Sequence, residues 1–230
     1  MLWGKLTITM VLLGISTLTQ QWESLSPPPS SIVSQQWRVL RLARKREDGF
    51  HFVGTGFVVK RSDKTYVVTC AHLAEAALVA KNSEADLALL AVDVSISGST
   101  QPTTIDVREG TEVFVVGFND QHRQKDNPQI RSEVITTVGW WEDSGYRLFT
   151  SRRTTLSAPP ALLISGSNCQ PGESGSLVFG VSGQILAITT SFTHDYGCLA
   201  TAIPALVDLL EQIEPFEQMQ QPALTQVKRL

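Results

Sequence analysis

The residues Cys169-Gln170-Pro171-Gly172-Glu173-Ser174-Gly175-Ser176 lead into the apolar run Leu177-Val178-Phe179. Nucleophilic acyl transfer needs a serine on a tight loop, a base beside it and amide donors facing the developing oxyanion. Gly172 lets the chain turn its N–H toward such a site, and Gly175 leaves room behind Ser174. A second segment, Tyr66-Val67-Val68-Thr69-Cys70-Ala71-His72-Leu73, delivers a histidine at the end of a strand. A third, Ala85-Asp86-Leu87-Ala88-Leu89-Leu90, places an acid at the head of an apolar strand, where it can hold an imidazole in its productive tautomer. Ser174 is thus the candidate nucleophile, His72 the candidate base and Asp86 the candidate orienting acid, with Asp93 in reserve after the same strand. Each motif alone has a plainer use as a turn, a strand end or a satisfied core residue. Their conjunction gives the chemistry its weight.

The elements that must position these residues are short strands. Candidates run over 37–43, 51–60, 65–69, 86–92, 111–116, 133–139, 146–151, 161–164, 176–179 and 184–191, and Asp48-Gly49 marks a hairpin turn. The stretch 71–78 suits one or two helical turns. A helix is expected from Pro204, with Leu206, Leu209, Leu210 and Ile213 as its apolar stripe and Pro215 as its end. The class is all-β with a short C-terminal helix. The domain reading is residues 1–20 as a signal peptide or anchor, 21–36 as an extended Pro/Ser-rich linker, 37–214 as the folded domain and 215–230 as a flexible tail.

Together the three motifs resemble trypsin-like (chymotrypsin-fold) serine peptidases, especially the HtrA/Deg-type and related single-domain branches, over about residues 37–210. Gly54-Thr55-Gly56-Phe57-Val58-Val59 is similar to that family's strand ahead of the histidine, and Ala200 to Pro204 to its closing strand and helix start. The resemblance implies two packed six-stranded antiparallel β-barrels with the active site between them. It also implies a His72–Asp86–Ser174 triad and an oxyanion hole from the Gly172 and Ser174 amides. Thr190, Ser191, Phe192 and Thr193 would pair with a substrate backbone, and Asn168 would lie at the pocket base. Cys169 and Cys198 flank the segments that should wall the pocket, and are either a disulfide, as in several secreted relatives, or two buried thiols. Cys70 reads as a small buried apolar residue. Trp140-Trp141 is left without a role.

The sequence departs from the family in several places. Only 13 residues separate His72 from Asp86, which implies that a strand or hairpin of the first barrel is trimmed. Glu173 stands where many relatives have Asp or Asn, and Ser176 where many have Gly. No PDZ domain is expected after residue 202. Ile32-Val33 invites comparison with the new N-terminus that activates digestive relatives by pairing with an acid beside the serine. Ser34-Gln35 replaces the glycines of that segment, so no N-terminal cleavage is expected to be needed.

The totals narrow the function classes. A formal net charge of −3 leaves no footprint for nucleic acid. The run Arg41, Arg44, Lys45, Arg46 is followed at once by Glu47 and Asp48 and reads as a solvated hairpin end. Three cysteines without CxxC or Cys/His spacing give no reason to expect a zinc site or cofactor. Lys5 and the apolar run from Leu6 to Leu18 suit the h-region of a secretory signal or an N-terminal membrane anchor, which places the chain outside the cytoplasm. The expected activity is a secreted serine endopeptidase acting on polypeptides through an acyl-enzyme. The rivals are a trypsin-fold binding module that has lost turnover and a protein whose main role is anchorage through residues 1–20.

Overall fold

The computed structural model describes residues 27–61, 64–74, 78–92, 107–120, 127–140, 160–165, 169–193 and 197–220. Eleven strands appear among them. β1 (Val39–Arg46), β2 (Gly49–Arg61), β3 (Lys64–Cys70), β4 (Leu78–Asn82) and β5 (Leu87–Val92) form a five-stranded sheet in the order β1-β2-β3-β5-β4. β6 (Glu112–Gly117), β7 (Gln129–Trp140), β8 (Pro160–Ile164), β9 (Leu177–Gly180), β10 (Ile185–Thr193) and β11 (Gly197–Ala202) close into a barrel in the order β10-β11-β8-β7-β6-β9. Every pairing is antiparallel.

Period-two alternation explains both cores. In β6 and β9, Val113, Val115 and Val178 point into the barrel with Ile135, Leu162 and Ala200. Their neighbours Phe114, Val116, Leu177 and Phe179 point outward and pack on Phe57, Val59, Val68 and Leu89 of the sheet. These strands are apolar on both faces, which is why they read as continuous hydrophobic runs. A fully buried Leu or Phe contributes about 1.5–3 kcal/mol, so this shared layer fixes the sheet against the barrel.

The C-terminal helix, Ile203–Gln220, places Leu206, Leu209, Leu210 and Ile213 in the same layer. It does not stop at Pro215 as the sequence reading expected. Proline at that depth removes one N–H donor, to the carbonyl of Glu211, and the helix carries through it. The linker is also shorter than expected. A helical turn at Ser30–Val33 buries Ile32 completely, and Gln35 Nε2 donates to the Gly183 carbonyl at 3.0 Å, docking this segment on the barrel. An isolated isoleucine among polar and proline neighbours gives no periodicity from which to foresee that burial. Residues 1–20, the 146–151 strand, Trp141 and the 221–230 part of the tail lie outside the described residues. No helix among the described residues is long and apolar enough to cross a membrane.

Candidate active site

The candidate residues converge where the sheet meets the barrel. Thr55 N–H on β2 donates to the Ser174 carbonyl at 2.8 Å, Thr201 Oγ1 on β11 donates to the Ala85 carbonyl at 2.7 Å, and the Cys70 thiol donates to the Thr189 carbonyl at 3.2 Å. The seam is therefore tied by hydrogen bonds as well as by apolar packing.

His72 sits in a single 3-10 turn, Ala71–Leu73, that ends β3. The pairing of Cys70 with Leu87 puts the next residues, Ala71 and Asp86, side by side, and Ala71 N–H donates to the Asp86 carbonyl at 3.0 Å. This register resolves the short connection. The intervening chain forms β4, which pairs with β5 and returns through a turn at residues 83–86. Asp86 ends that turn with φ 51°, a left-handed conformation that aspartate tolerates better than most residues. Its carboxylate grips the histidine twice. Oδ2 lies 2.7 Å from His72 Nδ1, and Oδ1 accepts the His72 backbone N–H at 3.0 Å. With a carboxylate at Nδ1, that nitrogen keeps the proton and Nε2 is left as the basic lone pair.

Ser174 lies on the loop between the 169–173 segment and β9. Its Oγ donates to the Thr190 carbonyl at 3.2 Å, and no hydrogen bond joins it to His72. The loop is a chain of turns: Glu173 N–H donates to the Gln170 carbonyl, Ser176 N–H to the Glu173 carbonyl and Gly175 N–H to the Thr189 carbonyl at 2.7 Å. The amides of Gly172 and Ser174 donate to nothing among the described residues, so both remain for a ligand oxygen.

Two glycines make the approach possible. A Cβ on Gly54 would lie 2.4 Å from Leu73 Cδ1 and 3.0 Å from the Ser174 carbonyl, so β2 lets both the histidine turn and the serine loop rest against it. Gly175 has φ +87°, and a Cβ there would lie 1.8 Å from the Thr55 carbonyl oxygen, a rigid strand atom. Gly175→Ala should therefore cost about 3 kcal/mol or more, since left-handed strain and a backbone clash add. A lower urea midpoint at unchanged slope would show this, and an unchanged midpoint would contradict the loop geometry.

Strand β10 carries the other predicted residues. Its register against β11 shifts between Thr189 and Ser191, a bulge that frees the Thr190 carbonyl to meet Ser174. β9 pairs with β10 only up to Ile188. Residues 191–193 thus have β11 on one side and no strand on the other among the described residues. Thr190 Oγ1 reaches the Leu199 carbonyl at 3.4 Å, and the buried Ser191 hydroxyl has no partner among the described residues. Phe192 and Thr193 are placed by their backbone in β10. Asn168 and Asp93 lie outside the described residues.

Cys169 and Cys198 form a disulfide that joins the start of the serine loop to β11. Closing a separation of 29 residues stabilises the fold by about 3–4 kcal/mol in the chain-entropy account. Among the described residues, two groups bring potential metal donors within 4.8 Å: Cys70, His72 and Asp86, and Cys169, Glu173 and Cys198. In the second the sulfurs are already bonded to each other. In the first, burial and then the Asp86 charge push the Cys70 thiol well above its ordinary range, so it stays protonated and acts as a donor.

Glu173 is buried behind the serine loop. Arg131 Nη2 on β7 lies 2.8 Å from its Oε2, Asn119 Nδ2 donates to Oε1 at 3.3 Å and the Gln170 N–H to Oε2 at 3.3 Å. Ile32, far from acting as a mobile N-terminus, donates its N–H to the Pro29 carbonyl. The sequence reading missed Arg131, Glu133 and Asn119. Their signal was the spacing Arg131, Glu133, Ile135, which puts two charges on the same strand face as a core isoleucine.

No family model matches the sequence, and no curated protein matches it. Solved structures do match. The active form of the Rv3671c protease from M. tuberculosis superposes with a TM-score of 0.61 at 18% identity, covering 82% of this chain and 88% of that one. The HtrA-type protease AlgW with a tripeptide superposes with a TM-score of 0.60 at 17% identity, covering 81% of this chain and 64% of that one. The chain has the fold of trypsin-like, HtrA-type serine peptidases. The inactive form of the Rv3671c protease gives a TM-score of 0.56 at 16% identity. The closed six-stranded barrel and C-terminal helix are those the trypsin-like fold requires, while the first half shows five strands among the described residues.

Proposed function

We propose that the chain is a serine endopeptidase working through an acyl-enzyme at Ser174. The observation that carries this reading is the pair of hydrogen bonds that Asp86 accepts from His72, set at the seam where the Ser174 loop is pinned to β2. The reaction requires Ser174 Oγ to leave the Thr190 carbonyl and meet His72 Nε2. The imidazole then takes the hydroxyl proton as the oxygen attacks the peptide carbonyl, and the Gly172 and Ser174 amides receive the oxyanion. Collapse breaks the C–N bond, and His72 gives its proton to the leaving amine. Water, deprotonated by the same imidazole, releases the carboxylic acid and restores Ser174. The edge of β10 at residues 191–193, which pairs with no strand on that side among the described residues, suits an extended substrate strand.

The disulfide supports an oxidising compartment, in keeping with export through residues 1–20. Attachment to a membrane through that segment is the alternative to its removal. A second reading, a binding module with little or no turnover, draws on the one bond that Ser174 Oγ makes, to Thr190 instead of His72. Incubating the purified chain with an unfolded protein separates them. Endopeptidase action yields new N-termini in proportion to enzyme and time. Retention of intact polypeptide without new termini, at neutral and mildly alkaline pH, supports the binding module.

A further inference from the structure

The inside of the barrel holds a charged cluster that the chemistry above does not use. Arg131 Nη1 lies 3.1 Å from Glu133 Oε1 and Nη2 lies 2.8 Å from Glu173 Oε2. Glu133 and Glu173 are both buried, and Glu133 Oε2 has no partner among the described residues. One guanidinium therefore serves two carboxylates, one of which adjoins the nucleophile in the chain.

Glu173 is also held by Asn119 and by the Gln170 amide, so its side chain is the bolt of the turn that presents Gly172 and Ser174. Among the described residues, only Arg131 brings a full positive charge to it. Burial raises the Glu173 carboxyl, while Arg131, the Gln170 amide and Asn119 draw it back down. Without the cation, a carboxylate buried to this degree takes up a proton, becomes a donor, and loses the geometry it accepts from Asn119 and Gln170.

We propose that Arg131 is a positioning residue for the Ser174 chemistry, and that Glu133 regulates it by sharing its guanidinium. With Glu133 neutral, the whole cation serves Glu173 and the turn is firm. With Glu133 ionised, the cation is divided and the cluster carries a buried negative charge behind the oxyanion amides. The inference rests on the peptidase reading.

Charge on the strands packed against this cluster is sparse among the described residues. β8, β9, β10 and β11 bring no charged side chain to it. Glu112, opposite on β6, takes the Ser132 hydroxyl at 3.1 Å on the neighbouring position of β7, and Arg108 and Glu109 on the preceding turn face solvent. The disulfide sulfur of Cys198 lies 4.0 Å from Glu173 Oε2 and does not titrate. Burial, with Glu173 adding to it and Arg131 opposing it, raises Glu133 to about 7. The switch in Glu133 therefore falls at neutral pH, with the firm state on the acid side.

The test measures the rate of fluorophosphonate labelling, together with kcat and KM on a short peptide, for wild type, R131M, R131K and E133Q across pH, with circular dichroism as the check on folding. R131M should lose about 10²-fold or more in labelling rate and kcat, with KM nearly unchanged, as for loss of an oxyanion donor. R131K should recover part of that loss. Labelling of folded R131M at the wild-type rate overturns the role of Arg131. E133Q, nearly isosteric, keeps the test open if R131M does not fold. Its rate should match wild type in acid and exceed it several-fold in mild alkali, the ratio changing with a midpoint at about 7. A ratio independent of pH overturns the role of Glu133. Absence of labelling in wild type overturns the peptidase reading itself, a result distinct from the other two.

Discussion

Ser174→Ala is expected to abolish hydrolysis while leaving the protein folded. Removing the nucleophile from a working serine–histidine–aspartate set costs about 10⁶ in kcat in other serine hydrolases, leaving only the contribution of the oxyanion donors and binding. Folding should survive because Ser174 Oγ makes a single bond, to the Thr190 carbonyl, with a net worth of about 1 kcal/mol. The loop is held without that hydroxyl: Thr55 N–H donates to the Ser174 carbonyl, Gly175 N–H donates to the Thr189 carbonyl, and the Glu173 carboxylate is bound by Arg131, Asn119 and the Gln170 amide. Thermal unfolding and far-UV dichroism should match wild type, and substrate affinity should stay near its KM. Residual hydrolysis within tenfold of wild type would move the nucleophile elsewhere.

Asp86→Asn should lower kcat by about 10⁴, the loss found when the same exchange is made in a trypsin-like enzyme. Asparagine accepts the left-handed backbone that Asp86 adopts, so the change leaves the turn in place. It can keep its oxygen on the His72 backbone N–H, as Oδ1 has it now. The amide nitrogen then faces Nδ1 and donates to it. The imidazole must carry its proton on Nε2, and the lone pair that should meet Ser174 is gone. Rate should fall with little change in KM. A loss under tenfold would show that another group, with Asp93 the reserve in the sequence, orients the ring.

The parts of the fold that were legible share a physical reason. Strands β2, β3, β5, β6 and β9 carry apolar residues on both faces or strict alternation, so hydrophobic pattern alone marks them. The candidate segments of the site were legible because a tight serine loop needs glycine and a strand-borne histidine needs little else nearby. β4 was not, since Leu78 and Val79 on this edge strand are largely exposed and the pattern carries no alternation. The barrel-facing side of β7 was not legible. Ile130 and Val134 look like the inward face, yet Arg131, Glu133 and Ile135 point inside, and only the meeting with Glu173 some forty residues later makes burial of those charges tolerable. The same limit applies to Ile32, whose partners in the core come from distant strands and from the C-terminal helix.

The central claim is that Ser174 is an activated nucleophile, and one measurement tests it most directly. The folded protein is treated with a fluorophosphonate, which phosphonylates serine only when a neighbouring base raises its nucleophilicity. The digest is then read by mass spectrometry. The account predicts one stoichiometric adduct on Ser174, missing from Ser174→Ala. A folded protein with no adduct, or one whose adduct lies on another residue and persists in Ser174→Ala, would contradict it.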